Sequence, residues 1–215
     1  MIRPSTACLV AALVLSGCAL TLWACAPQPR QEGAPPAAEP YRGGPLPVGG
    51  WGVGPIRGDT PFEAVRIRTL FPRAAVRDGE VRIAPDETRA VIMVVQDGRL
   101  VIEVDDGDGN FPHTDDPLIG SVRVLSGPVV GPHGEHVGLS WRNAGFDLSE
   151  CEVGVERDAN TVFCARPGEG AVTYQFAVPG WNSEEMPPSM AMRAGAYIKA
   201  IVWTPPPVPG AGPPT

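Results

Sequence analysis

Cys151 and Cys164 constrain this chain more than any other two residues. They bracket a strand–turn–strand pattern within FDLSECEVGVERDANTVFCARPGEGAVTYQFAV, residues 146–178. Between them lies Glu156-Arg157-Asp158-Ala159-Asn160. Asp and Asn favour tight turns because they cap nearby amides and tolerate left-handed angles. A turn centred on Arg157-Asp158 sets the two cysteines directly opposite each other. Opposed residues on antiparallel strands bring their Cβ atoms to about 4.5–5.5 Å, and a disulfide wants about 3.5–4.5 Å. The closer, non-hydrogen-bonded kind of pair suits the bond. The spacing therefore predicts a crosslinked hairpin, with AVTYQFAV as the strand that follows it.

A structural disulfide belongs in an oxidising compartment, and the N-terminus agrees. Residues 1–17 carry one early charge, Arg3, and then an apolar run from Ala7 to Leu15, the pattern of an export signal. Leu15-Ser16-Gly17-Cys18 has the form of a bacterial lipobox, in which Cys18 would be acylated and become the mature N-terminus. Leu22-Trp23-Ala24-Cys25 is a second match, with a bulky Trp where a small residue is usual. Cys18 is the first candidate for lipidation and Cys25 the alternative; an uncleaved membrane helix is a third reading of the apolar run. No Asp follows either cysteine, which under the usual sorting rule points to the outer membrane, facing the periplasm. Residues 18–50 are rich in Pro, Gly and Ala and read as an extended tether. Residues 204–215 read as a Pro-rich disordered tail.

Residues 51–203 remain for one folded head. The formal charge of the whole chain is −7, and Lys199 is its single lysine. An acidic chain with no basic stripe argues against nucleic acid as a partner. Thr60-Pro61-Phe62-Glu63 reads as a capping box opening a short helix with apolar positions at Ala64, Ile67, Leu70 and Phe71. Residues 74–83 alternate like a strand interrupted at Asp78-Gly79. The clearest hairpin is AVIMVVQ, Asp97-Gly98, RLVIEVD, because Asp-Gly favours a type I′ turn. Val91 to Val95 is nearly all apolar and reads as a central strand. A strand at 121–125, a short helix near 137–144 with Trp141, the crosslinked hairpin, AVTYQFAV, an irregular loop over 179–192 and a closing strand at 197–203 complete the order. The prediction is an α+β domain in which two short helices pack on an antiparallel sheet. The order suggests a diverged internal duplication of a helix-plus-sheet unit.

Cys151, Val162, Cys164 and Ala165, then Tyr174-Gln175-Phe176, Trp181, Met186-Pro187 and Ile198 to Trp203, form a pattern that resembles the uncharacterised RpoE-regulated lipoproteins. Gly52-Val53-Gly54 and Thr60-Pro61 match more loosely. The resemblance implies a lipid-anchored envelope protein whose expression is tied to envelope stress. It carries over no ligand and no catalytic residue.

Other constellations are weaker. Asp106, Asp108 and Asn110 have the alternation with which a calcium loop turns oxygens inward, but Phe111 and Pro117 stand where such a loop wants Gly and an acid. Asp115 and Asp116 offer a different cage, and a solvated acidic turn is the plainer reading. His133 and His136 are three apart, yet Gly131, Pro132 and Gly134 favour a loop, and zinc wants further ligands. Ser126, Ser140 and Ser149 lack a nucleophile-elbow pattern. Trp181, Met186 and Met190 form a possible binding loop or, more simply, a loop anchored in the core. The expectation is therefore a non-catalytic binding or envelope-maintenance module with no cofactor. Its partners would be a membrane, through the lipid, and an unidentified envelope protein or glycan. The alternative is a cell-surface inhibitor of a secreted enzyme such as lysozyme or a protease.

Overall fold

The protein is represented by a computed structural model that describes residues 38–107 and 117–206. Its elements in chain order are β1 (Leu46–Gly49), β2 (Gly52–Val53), α1 (Ala64–Leu70), β3 (Ala75–Ala84), β4 (Glu87–Gln96), β5 (Arg99–Asp105), β6 (Ser121–Val124), β7 (Val129–Val130), α2 (Trp141–Ala144), β8 (Cys151–Val153), β9 (Thr161–Cys164), β10 (Val172–Ala177), α3 (Ser189–Gly195) and β11 (Tyr197–Trp203). Single 3-10 turns at Leu148–Glu150 and Glu156–Asp158 flank β8.

The Asp97-Gly98 turn forms as its chemistry predicts. Both residues adopt positive φ, 51° and 74°, and Gln96 pairs with Arg99. Two positive angles in succession define the type I′ turn, whose twist matches that of the flanking strands. Cys151 likewise pairs directly with Cys164, with Cα atoms 4.1 Å apart, and the two are joined as a disulfide.

Eight strands make the main sheet, in the order β3-β4-β5-β6-β11-β10-β9-β8, with every neighbouring pair antiparallel. The order resolves into two four-strand meanders, β3 to β6 and β8 to β11. Each is preceded by a short helix, and the two join through their last strands, with Val202 opposite Arg123. Two copies of one helix-plus-meander unit, related by a twofold between β6 and β11, would give this arrangement. A small sheet, β2-β1-β7, stands apart from it.

One face of the main sheet carries Val104, Val122, Val124, Phe176, Ile198, Ile201 and Trp203, all fully buried. Trp141 and Phe146 pack onto Phe176 with ring centroids 5.0 and 5.6 Å away. Ile67 and Leu70 of α1 and Met192 of α3 belong to the same core.

Four expectations are corrected. The capping box does not form: Glu63 is the residue before α1 and makes no side-chain cap, while the Thr60 hydroxyl accepts from the Arg57 amide in a preceding turn at 2.9 Å. Pro61 bridges to Leu118 instead of opening the helix. Asp78-Gly79 does not interrupt β3; a Cβ at Gly79 would meet the Met93 methyl at 2.7 Å, so glycine leaves room for that side chain within a continuous strand. The loop after Pro179 contains a third short helix, α3. Finally, the fold begins before residue 51. Leu46 and Val48 of β1 are buried, and the described residues all lie in one compact unit, Pro35–Thr215. Pro and Gly around them hid two core residues in what reads as tether.

Candidate functional site

A network of paired charges lies on the other face of the sheet. Glu103 on β5, Arg123 on β6 and Gln175 on β10 share it by register. The connection between β8 and β9, residues 154–160, folds back over this face and approaches β3 at the far edge. A strap that leaves one edge and reaches the other requires the sheet to curl strongly. Arg157 on the strap donates from Nη1 and Nη2 to the two oxygens of Glu103, at 2.6 and 2.8 Å. Asp158 accepts from Arg123 at 2.9 and 2.7 Å and from Gln175 Nε2 at 2.8 Å. Arg123 also donates to Gln175 Oε1 at 2.6 Å, and Gln175 Nε2 to Thr161 Oγ1 at 3.0 Å.

Glu103 is 2% exposed and Gln175 0%. Buried charges are tolerated only when paired and hydrogen-bonded, and here each one is. Burial pulls Asp158 upward, but the bonds from Arg123 and Gln175 outweigh it and hold the carboxyl below the usual aspartate range. Asp105 lies two residues along from Glu103; burial pushes its carboxyl up, although the Ser121 hydroxyl and the Gly107 amide donate to it at 2.6 and 2.9 Å. Gly154 at the base of the strap has no room for a Cβ against the Asp158 carbonyl.

A second cluster gathers where the 131–136 loop meets the β9–β10 connection. Glu135, 2% exposed, accepts from Arg166 Nε and Nη2, both at 2.9 Å, and from the His133 amide at 2.9 Å. Burial raises the Glu135 carboxyl, and these donors reverse the shift and lower it. Burial and the Glu135 carboxylate push the Tyr174 phenol far up, so it stays protonated. Gly131 is required here: a Cβ would meet Glu135 Oε2 at 2.8 Å and Tyr174 Oη at 3.0 Å. Arg166 also lies over the Phe146 ring at 4.4 Å. His133 Nε2 meets Glu169 Oε1 at 2.6 Å. Glu169 borders a cavity of about 590 Å3 whose other walls are mostly glycine, proline and alanine, with Thr204 beside them. A histidine–carboxylate pair is an arrangement that general bases use. Among the described residues, however, no hydroxyl or thiol is hydrogen-bonded to His133. What the cluster does is hold charge in fixed positions beside a concave surface.

The residues singled out from sequence fall as follows. Cys18, Cys25, Asp108, Asn110, Asp115 and Asp116 lie outside the described residues, as do the signal and most of the tether and tail. Asp106 is described and half-buried. Among the described residues no group of three or more His, Cys, Asp or Glu is placed to hold a metal. His136 Nδ1 lies 3.2 Å from the Gly134 carbonyl, and His133 faces Glu169, so the two rings are engaged separately. Trp181 and Met186 are partly buried against the core, and Trp181 Nε1 donates to the Glu185 carbonyl at 3.2 Å. Met190, on α3, is 81% exposed. The three do not form one exposed patch. Sequence reading gave no site role to Glu103, Arg123 or Gln175; Gln175 stands in the resemblance pattern, and Glu103 and Arg123 signal themselves only as charges among apolar strand residues.

No family model matches the chain, and no curated protein matches it. Among solved structures, the uncharacterized protein yfeY from Escherichia coli is similar, with a TM-score of 0.55 and 17% identity. The match covers 74% of this chain and 97% of that one. At this identity the likeness speaks for the fold.

Proposed function

We propose that the protein is a lipid-anchored bacterial envelope lipoprotein, akin to the RpoE-regulated group, whose head is a non-catalytic binding module. The observation that carries this reading is the Cys151–Cys164 disulfide. It joins the two cysteines of the described head, and such bonds persist where thiols are kept oxidised. The lipobox at Leu15 to Cys18 supplies the anchor, with Cys25 as the alternative acylation site, and the outer membrane facing the periplasm is the destination. The binding role draws on the concave surface beside Glu169 and His133, held rigid by Glu135 and Arg166.

Intact mass of the membrane-extracted chain, with Cys18→Ser and Cys25→Ser variants beside it, tests the proposal. The expected species starts at Cys18, carries acyl chains that Cys18→Ser abolishes, and gains about 2 Da on reduction. An unacylated chain with free thiols would overturn the envelope reading. Acylation lost in Cys25→Ser instead would move the anchor and keep the reading.

A further inference from the structure

Among the described residues β3 is the outer strand of the main sheet, ten residues long; it pairs with β4 on one side, and Glu156–Asp158 of the strap come close to it. Such an edge is a template for another strand unless something blunts it. Among the described residues, the hydrogen bond reaching its outer side is the one Arg68 Nη2 donates to the Val76 carbonyl at 3.2 Å. That bond also fixes the strand's parity. If the Val76 carbonyl faces outward, then so do the backbone groups of Asp78, Glu80 and Arg82, which alternate with it.

From this edge we infer that β3 pairs antiparallel with β3 of a second copy, with Val81 on the twofold axis. In that register Glu80 of each chain lies opposite Arg82 of the other. These are residues whose backbone groups face outward, so each such pair exchanges two hydrogen bonds. The same pairs set opposite charges side by side, twice, on exposed side chains. Val81, half-buried, meets its own counterpart in the closer, non-hydrogen-bonded kind of pair. Gly79 lies opposite Ile83, so the smallest residue faces a large one. Shifting the axis by one residue sets Glu80 against itself, and shifting it by two sets Asp78 against Glu80. The register through Val81 is thus the one that joins opposite charges and avoids like ones. The interface does not depend on the anchor and extends the eight strands into a continuous sixteen.

The register makes a sharp crosslinking prediction, because opposed residues of the closer kind are near enough for a disulfide. Cys151 and Cys164 stand in that relation within the chain. The full chain, extracted in detergent, should sediment at twice its protein mass. A Val81→Cys variant should oxidise to a covalent dimer, and an Arg77→Cys control should not. Glu80→Arg should weaken self-association at least about tenfold, since it creates two like-charge pairs, and adding Arg82→Glu should restore it. A chain that sediments as a monomer at all concentrations would overturn the inference. So would equal crosslinking at 77 and 81, or association unmoved by Glu80→Arg.

Discussion

Two aspartates on one face of the sheet illustrate how a single side chain's environment sets its effect. Asp158 sits between Arg123 and Gln175, and its folded pKa is depressed. Its stabilisation is fully present above the ordinary aspartate value near 4 and fades as pH falls through the lower folded value. Asp105 is raised by burial. Its ionisation opposes folding above that raised value, and the penalty is gone below the ordinary one. The two substitutions to Asn therefore respond oppositely in urea unfolding. Asp158→Asn should cost about 2 kcal/mol at pH 7, the size of a charge-assisted hydrogen bond, with the deficit shrinking below about pH 4. Asp105→Asn should be neutral or stabilising by less than about 1 kcal/mol at pH 7, and its advantage should vanish on acidification. Neither environment is legible in the sequence. Asp158 reads as part of a solvated turn, and Asp105 as the start of a solvated acidic stretch. Both become half-buried through partners from elsewhere in the chain, Arg123 and Gln175 for Asp158 and Ser121 for Asp105.

At the scale of the element, the crosslinked hairpin does more than close a loop. Its disulfide ties β8 to β9 at one end, and the strap between them is pinned at the other by Arg157 on Glu103 and Asp158 on Arg123. Replacing both cysteines by Ser should lower stability by about 3 kcal/mol, measured by denaturant titration. The strap should loosen with it, so that strap amides exchange faster than those of β10. If strap exchange stays unchanged, the ion pairs alone hold the strap. The pairing of Cys151 with Cys164 was readable because turn chemistry and strand alternation are local. The strap's destination was not, since Glu103 lies 54 residues from Arg157 in the chain. The helix opening at Thr60 failed for a related reason: Pro61 and Phe62 are drawn to the backbone at Pro117 and Leu118, and that distant pairing outweighs a local cap.

For the whole molecule, the two meanders meet at β6 and β11, the centre of the sheet. Native-state hydrogen exchange should find the slowest amides on β6, β11 and β10, and faster ones on β3, β8 and the small β2-β1-β7 sheet. Equal protection across all strands would mean that the centre does not govern opening. The gradient follows from burial: Val122, Val124, Ile198 and Ile201 are fully buried, whereas much of β3 is exposed. Pairing of β3 with a second copy would raise protection at that edge in proportion to protein concentration.

The sequence by itself determined the α+β class, the Asp97-Gly98 hairpin, the strands of the second half and the disulfide, because each rests on alternation or turn chemistry within some fifteen residues. The tertiary structure alone decided that Leu46 and Val48 belong to the core, that Glu103, Arg123, Gln175 and the strap form one part-buried network, and that His133 and Glu169 face each other beside a cavity. Those relations join residues far apart in the chain, Arg157 to Glu103 across 54 positions and Leu46 to its strand partner Val129 across more. A charge inside an apolar strand acquires its partner only when another part of the chain brings one.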